Sequence, residues 1–287
     1  MKKYDIKMSK KYKKDILGSL FMGMLLLTSS VFTISCSKDH TDLSDNTEIS
    51  LLNTETRSNI SSSSPFSFGG VFDGDDFQVD NDGDGAHNWD IDEYEEDPED
   101  NGFDIRDFIF VSNNRLVLEC PNDNDGERRR AEFRDQVNID LSDAHYMDLT
   151  FDIVNYNNNS ELIMAQLHND NSGARRPFIT IVAEDGEIIL QRTNSPTGTT
   201  SQTASETIPF RTNDRYTIRM ESVRGNRSVL AQITNLDTGE EAENKFNFAG
   251  AWDDFDGDFY WKFGAYMPDG GSDNTQMRVE RIEIVGQ

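Results

Sequence analysis

The chain of 287 residues carries 53 acidic against 27 basic side chains, a net charge of −26, with 35% hydrophobic and 10% aromatic content. This hydrophobic fraction excludes a wholly disordered chain and suits one globular domain with non-globular extensions. The charge excludes duplex nucleic acid as a partner, because nucleic-acid binders neutralise phosphates with Lys and Arg. Any anionic ligand must be met by a local positive cluster on a repelling background, so the positions of the few cations are informative.

Residues 1–15 hold seven Lys and two Asp, and Ile16 to Ile34 follow without a charge. This order is that of a signal peptide. The apolar run meets Ser35-Cys36-Ser37, a setting similar to the lipobox of bacterial lipoproteins, with Thr33 where Leu is more usual. The expectation is a lipoprotein signal segment over residues 1–36, acylated at Cys36 and anchored to the outer membrane or cell surface. An uncleaved anchor or plain secretion are the alternatives, and all three take the domain out of the cytoplasm. Cleavage before Cys36 removes a net five positive charges and takes the remainder from −26 to −31.

Residues 37–64, rich in Ser, Thr, Asn and Asp and closing on four consecutive Ser, lack periodicity and read as a flexible tether. A single domain is expected over residues 65–287. Its opening stretch from Asp73 to Asp100 holds 14 acidic residues and no Lys or Arg, a density that repels itself unless cations or solvent relieve it. Within it lies Asp80-Asn81-Asp82-Gly83-Asp84-Gly85. Carboxylates at alternate positions with Gly sixth match the front of an EF-hand-type loop, so Asp80, Asp82 and Asp84 are candidate ligands of a structural calcium. The twelfth position is Ile91 rather than Glu, and a merely solvated acidic loop is the competing reading.

Leu116 to Cys120 reads as a strand with a buried thiol; without Cys36 no second Cys remains to form a disulfide. Arg128-Arg129-Arg130 is the densest positive run of the domain. In Arg130-Ala131-Glu132-Phe133-Arg134 the charges fall on every second residue, which puts Arg130, Glu132 and Arg134 on one face of a strand with Ala131 and Phe133 toward the core. The same alternation places Gln166 with His168, and Tyr260 with Lys262 and Tyr266. Each segment alone is equally compatible with the wet face of an antiparallel sheet. Two further pairs of β-rich runs flank Asp185-Gly186 and Gly225-Asn226, the signature of hairpins. No long amphipathic helix and no internal repeat is visible, so an all-β sandwich or jelly roll is expected.

The three charged segments, in this order, resemble the alginate lyases of polysaccharide lyase family 7, whose signatures are R-S/T-E-L-R, Q-I/V-H and Y-F-K-A-G-x-Y-N-Q. Arg130, Glu132 and Arg134 match the first; Gln166 and His168 the second; Tyr260, Lys262, Gly264 and Tyr266 the third. The resemblance runs from about residue 66 to the C-terminus. It implies a concanavalin-like jelly roll with a concave sheet as substrate groove, and β-elimination on a uronic-acid polysaccharide. By the same resemblance Arg130 and Gln166, helped by His168, hold the sugar carboxylate, and Tyr266 and His168 move protons. Lys262, Arg134 and Tyr260 bind substrate, while Glu132 orients the arginines. The chemistry requires no metal, and a monomer is expected. Phe263 stands in place of a small Ala, and Met267-Pro268 in place of Asn-Gln. These departures keep ulvan and glucuronan beside alginate as substrates, and a non-catalytic carbohydrate-binding module is the reading from a different class.

Overall fold

In the computed structural model, residues 76–286 are described, apart from 81–86, 90–93, 95–97, 101–102, 122–126, 136–138, 141–143, 158–159, 171–175, 198–201, 224–226 and 271–273. Cys36, the signal segment, the tether and two of the calcium candidates, Asp82 and Asp84, lie outside the described residues. The alternating sequence pattern is realised as strands β1 (Asp76–Asp80), β2 (His87–Trp89), β3 (Glu99–Asp100), β4 (Phe103–Asp104), β5 (Ile109–Ser112), β6 (Arg115–Glu119), β7 (Arg129–Arg134), β8 (His145–Val154) and β9 (Leu162–Asn169). They continue as β10 (Pro177–Glu184), β11 (Glu187–Thr193), β12 (Gln202–Pro209), β13 (Arg215–Val223), β14 (Ser228–Asn235), β15 (Glu241–Asn247), β16 (Phe259–Met267) and β17 (Gln276–Gly286).

Two large antiparallel sheets result. One runs in the order β12-β11-β10-β9-β16-β7-β1-β2, the other β15-β14-β13-β8-β17-β6-β5. The long-range order, with strands distant in sequence lying side by side, is that of a jelly-roll sandwich. The core joins the inward residues of both sheets: Ala131, Phe133, Trp261 and Phe263 from the first, Leu149, Phe151, Ile218 and Val279 from the second, each at most 1% exposed. Burying this apolar area is what holds the sheets together.

The expected hairpin at Asp185-Gly186 joins β10 to β11, and both residues take positive φ, 51° and 81°, as a two-residue primed turn requires. The second expected hairpin joins β13 to β14. A third, at Asn113-Asn114, also has two positive φ values and joins β5 to β6; Asn tolerates this region better than other residues with a Cβ. Cys120 follows β6 with its thiol buried and free, and burial pushes the thiol pKa up. An aromatic cluster anchors the chain before β16. Phe178 stacks on Phe248 at 4.1 Å and meets Trp252 edge-on at 5.0 Å, and Trp252 Nε1 donates to the Thr193 carbonyl.

Candidate active site

Strand β16 lies between β9 and β7 at the middle of the eight-stranded sheet, and the registers decide which side chains meet. Lys262 is opposite Gln166 on one side and Arg134 on the other; Tyr260 is opposite His168; Tyr266 is opposite Arg130. Strand parity then puts Arg130, Glu132, Arg134, Gln166, His168, Tyr260, Lys262 and Tyr266 on one face, away from the core. Gly264 faces Glu132 across the β7–β16 pair with φ +152°, and a Cβ there would stand 2.3 Å from the Ala131 carbonyl oxygen. Only Gly lets the two backbones come this close beneath the centre of the site.

Glu132 is that centre. It is 1% exposed, and its carboxylate accepts Lys262 Nζ at 2.6 Å, Gln166 Nε2 at 2.7 Å and Arg130 Nη1 at 3.3 Å. Burial alone pushes its pKa up, but Lys262 and Arg130 outweigh it and hold the group below the usual carboxylate range. The lysine feels burial more strongly than its counter-ion, and its pKa is pulled down to about 8. Lys262, expected as an open substrate cation, is instead 4% exposed and joined to Glu132. Glu132, expected to orient the arginines, therefore organises a lysine, an amide and one arginine, Arg130.

Because a carboxylate can only accept, the Gln166 amide nitrogen must face Glu132; its second N–H stays available to an incoming anion. The Arg130 guanidinium lies over the Tyr266 ring at 4.2 Å, and that of Arg134 over the Tyr260 ring at 4.4 Å. Arg134 also reaches Asp170 at 3.4 Å. Burial pushes the Tyr266 pKa up, with Arg130 opposing it, so the phenol holds its proton at neutral pH. The His168 ring stacks on Tyr260 at 5.2 Å, and its Nδ1 lies 2.8 Å from the Asn169 carbonyl oxygen. A carbonyl only accepts, so Nδ1 carries the proton and Nε2 keeps the lone pair. Burial, reinforced by the Lys262 charge, pulls the His168 pKa down to about 4. The face thus offers a neutral imidazole base, a protonated phenol and an anchored guanidinium within three adjacent strands.

Several contributors were not singled out from the sequence. The row through Lys262 and Gln166 continues to Thr180 and Gln191, both buried, with Thr180 Oγ1 3.4 Å from Gln191 Oε1. A register shift between β9 and β10 turns Met164 and Ala165 both inward and brings Ile163 up beside Tyr266. No sequence signal marks a bulge of this kind. Asp80, a calcium candidate, is fully buried opposite Arg130; its Oδ2 accepts Arg128 Nε at 2.9 Å and lies 3.8 Å from Arg130 Nε. Among the described residues no group of three or more His, Cys, Asp or Glu is placed to hold a metal ion. Of the departures from the family signature, Pro268 is half-buried just past β16, and those at Phe263 and Met267 do not touch the groove. Both face the core, at 0% and 1% exposure, with Phe263 packed on Phe133 at 4.8 Å.

A family profile described as alginate lyase matches residues 85–285 of the chain. Among solved structures the fold is similar to alginate lyase A1-II′, a member of polysaccharide lyase family 7, with a TM-score of 0.59 and 16% identity over 79% of this chain and 99% of that one. A form of that enzyme with one Tyr replaced by Phe, in complex with product (GGG), gives a TM-score of 0.59 and 15% identity over 79% of this chain and all of that one, 100%. The exolytic alginate lyase from Zobellia galactanivorans gives 0.57 and 11% identity, over 78% and 98%. Identities this low speak for the fold alone. Among curated proteins no relative matches.

Proposed function

The chain belongs to the alginate lyase family and is a polysaccharide lyase, and from that premise we propose that it cleaves alginate by β-elimination, giving unsaturated oligosaccharides. The observation that carries this reading is the buried Glu132 knot, which holds Arg130, Gln166 and Lys262 beside His168 and Tyr266 on one face.

The proton on C5 of a uronate is only weakly acidic while the neighbouring carboxylate is ionised. Arg130 and the second Gln166 N–H bind that carboxylate and stabilise the enolate-like dianion that forms as the proton leaves. His168 Nε2 accepts the C5 proton, and the Tyr266 hydroxyl gives its proton to the glycosidic oxygen at C4 as that bond breaks. Alginate is favoured over ulvan and glucuronan because two of the three departures from the family signature, Phe263 and Met267, point into the core, while the third, Pro268, is half-buried just past β16. The sequence order of charge, apolar run and Cys36 supports a lipid-anchored location facing the polymer outside the cell.

The test is the ultraviolet absorbance of the C4–C5 double bond, conjugated with the carboxylate, across a panel of alginate blocks, glucuronan and ulvan. Absorbance rising fastest on alginate is expected. Binding without any new absorbance on the whole panel would make the protein a carbohydrate-binding module instead.

A further inference from the structure

One cation on the site face has no part in this scheme. Arg128 stands immediately before β7, and because Arg129 is fully buried on the opposite side, Arg128 and Arg130 share a face. Two residues of extended chain separate them by roughly 7 Å, about the length of one sugar ring. Both lean on the same buried carboxylate: Asp80 Oδ2 accepts Arg128 Nε at 2.9 Å and sits 3.8 Å from Arg130 Nε. The Arg128 side chain keeps 40% of its exposure while Asp80 has none. Since Nε is spent on Asp80, the two terminal nitrogens of Arg128, a pair able to bracket a carboxylate, have no protein partner among the described residues. Tyr266, Arg130 and Asp80 stand in one row across β16, β7 and β1, and Arg128 is bonded to the last of them, which places it at the Tyr266 end of the groove.

A protein of net charge −26 gains nothing in solubility from a guanidinium fixed at this position, whereas an anionic polymer entering the groove does need one. We propose that Arg128 is a substrate-binding residue that takes the carboxylate of the sugar next to the one held by Arg130, with Asp80 the positioning residue that aims both guanidiniums. This deepens the uronate-lyase reading and rests on it. It makes the enzyme selective for runs of contiguous uronates, and it assigns the first carboxylate of the acidic motif to the arginines rather than to calcium.

The experiment uses the full chain, with Arg128→Ala, Arg128→Lys and Asp80→Asn compared by lyase kinetics on oligouronates of increasing length, alongside melting temperatures. Arg128→Ala is expected to raise KM roughly tenfold on long substrates, the scale of one hydrogen-bonded charge, with kcat changed far less. The penalty should disappear on the shortest cleavable oligomers, which do not reach Arg128. Arg128→Lys should recover only part of the loss, since an ammonium cannot bracket a carboxylate. Asp80→Asn should lower kcat as well, because Arg130 loses an anchor. An Arg128→Ala enzyme with unchanged KM on long chains, or an equal loss at every length, overturns the proposal. So does an Asp80→Asn enzyme with wild-type kinetics below its melting temperature, or a wild-type activity that chelator abolishes and calcium restores. A wild-type protein that cleaves no uronate polymer at all would take down the function proposed above, and this inference with it.

Discussion

A carboxylate at 1% exposure must be answered charge for charge, and Glu132 is answered by Lys262 and Arg130 at 2.6 and 3.3 Å. Around this fixed point the two residues assigned to proton transfer have opposite tunings. Tyr266 is kept protonated by burial and His168 is kept neutral by burial and the Lys262 charge. Tyr266→Phe retains the ring beneath the Arg130 guanidinium and loses only the hydroxyl, so kcat should fall about 100-fold or more with the melting temperature nearly unchanged, as for loss of a general acid. Near-wild-type turnover in that variant would remove Tyr266 from the chemistry. The pH profile of kcat/KM, which reports the free enzyme, should be flat between two limbs. As pH falls through about 4, His168 gains a proton and its lone pair is lost. As pH rises through about 8, Lys262 loses its charge, Glu132 is left under-compensated and an anionic substrate binds more weakly. An acid limb near the ordinary histidine pKa would show that His168 is solvated in the working enzyme.

At the scale of the strands, the site depends on how closely β7 and β16 approach. Gly264 permits that approach, since a Cβ would meet the Ala131 carbonyl at 2.3 Å and the Glu132 Cα at 2.7 Å. Gly264→Ala should therefore push the pair apart, cost about 1–3 kcal/mol as overpacking does, and lower kcat by disturbing Glu132. Calorimetry with parallel kinetics would reveal the coupling, and a stable, fully active Gly264→Ala enzyme would refute it. One residue earlier the same strand faces the other way. Phe263 belongs to the core with Phe133, so Phe263→Ala should cost about 3–5 kcal/mol yet leave the ratio of rates on alginate, glucuronan and ulvan as in the wild type. A changed ratio would mean that core packing reaches the groove.

For the molecule as a whole, a net charge of −26 faces an anionic polymer, so encounter depends on positive charge focused in one place. The few cations near Tyr266 supply it within a background that otherwise repels. Attachment at Cys36 would hold such a molecule near its substrate without any general affinity for it. Cys36→Ala is expected to release the protein from the membrane fraction or stall its processing, read by fractionation and intact mass. Unchanged fractionation and mass would exclude the lipid.

What the sequence by itself determined was parity. Alternation along Arg130–Arg134, Gln166–His168 and Tyr260–Tyr266 sorted each side chain to one face or the other, because a strand has a period of two whatever its neighbours are. Asp185-Gly186 likewise specified its hairpin locally, through the positive φ values that few other residue pairs accept. Parity also put Phe263 inward, so its replacement of a small Ala could be assigned to the core from its strand position. Tertiary structure alone decided which polar residues are surface and which are buried partners. The bonds from Glu132 to Gln166 and Lys262 span 34 and 130 residues, and that from Arg128 to Asp80 spans 48. Whether Lys262 reaches solvent, or Asp80 meets a metal or a guanidinium, depends on which strands lie alongside, and strand order is set by the burial of both sheets together rather than by any local run of residues.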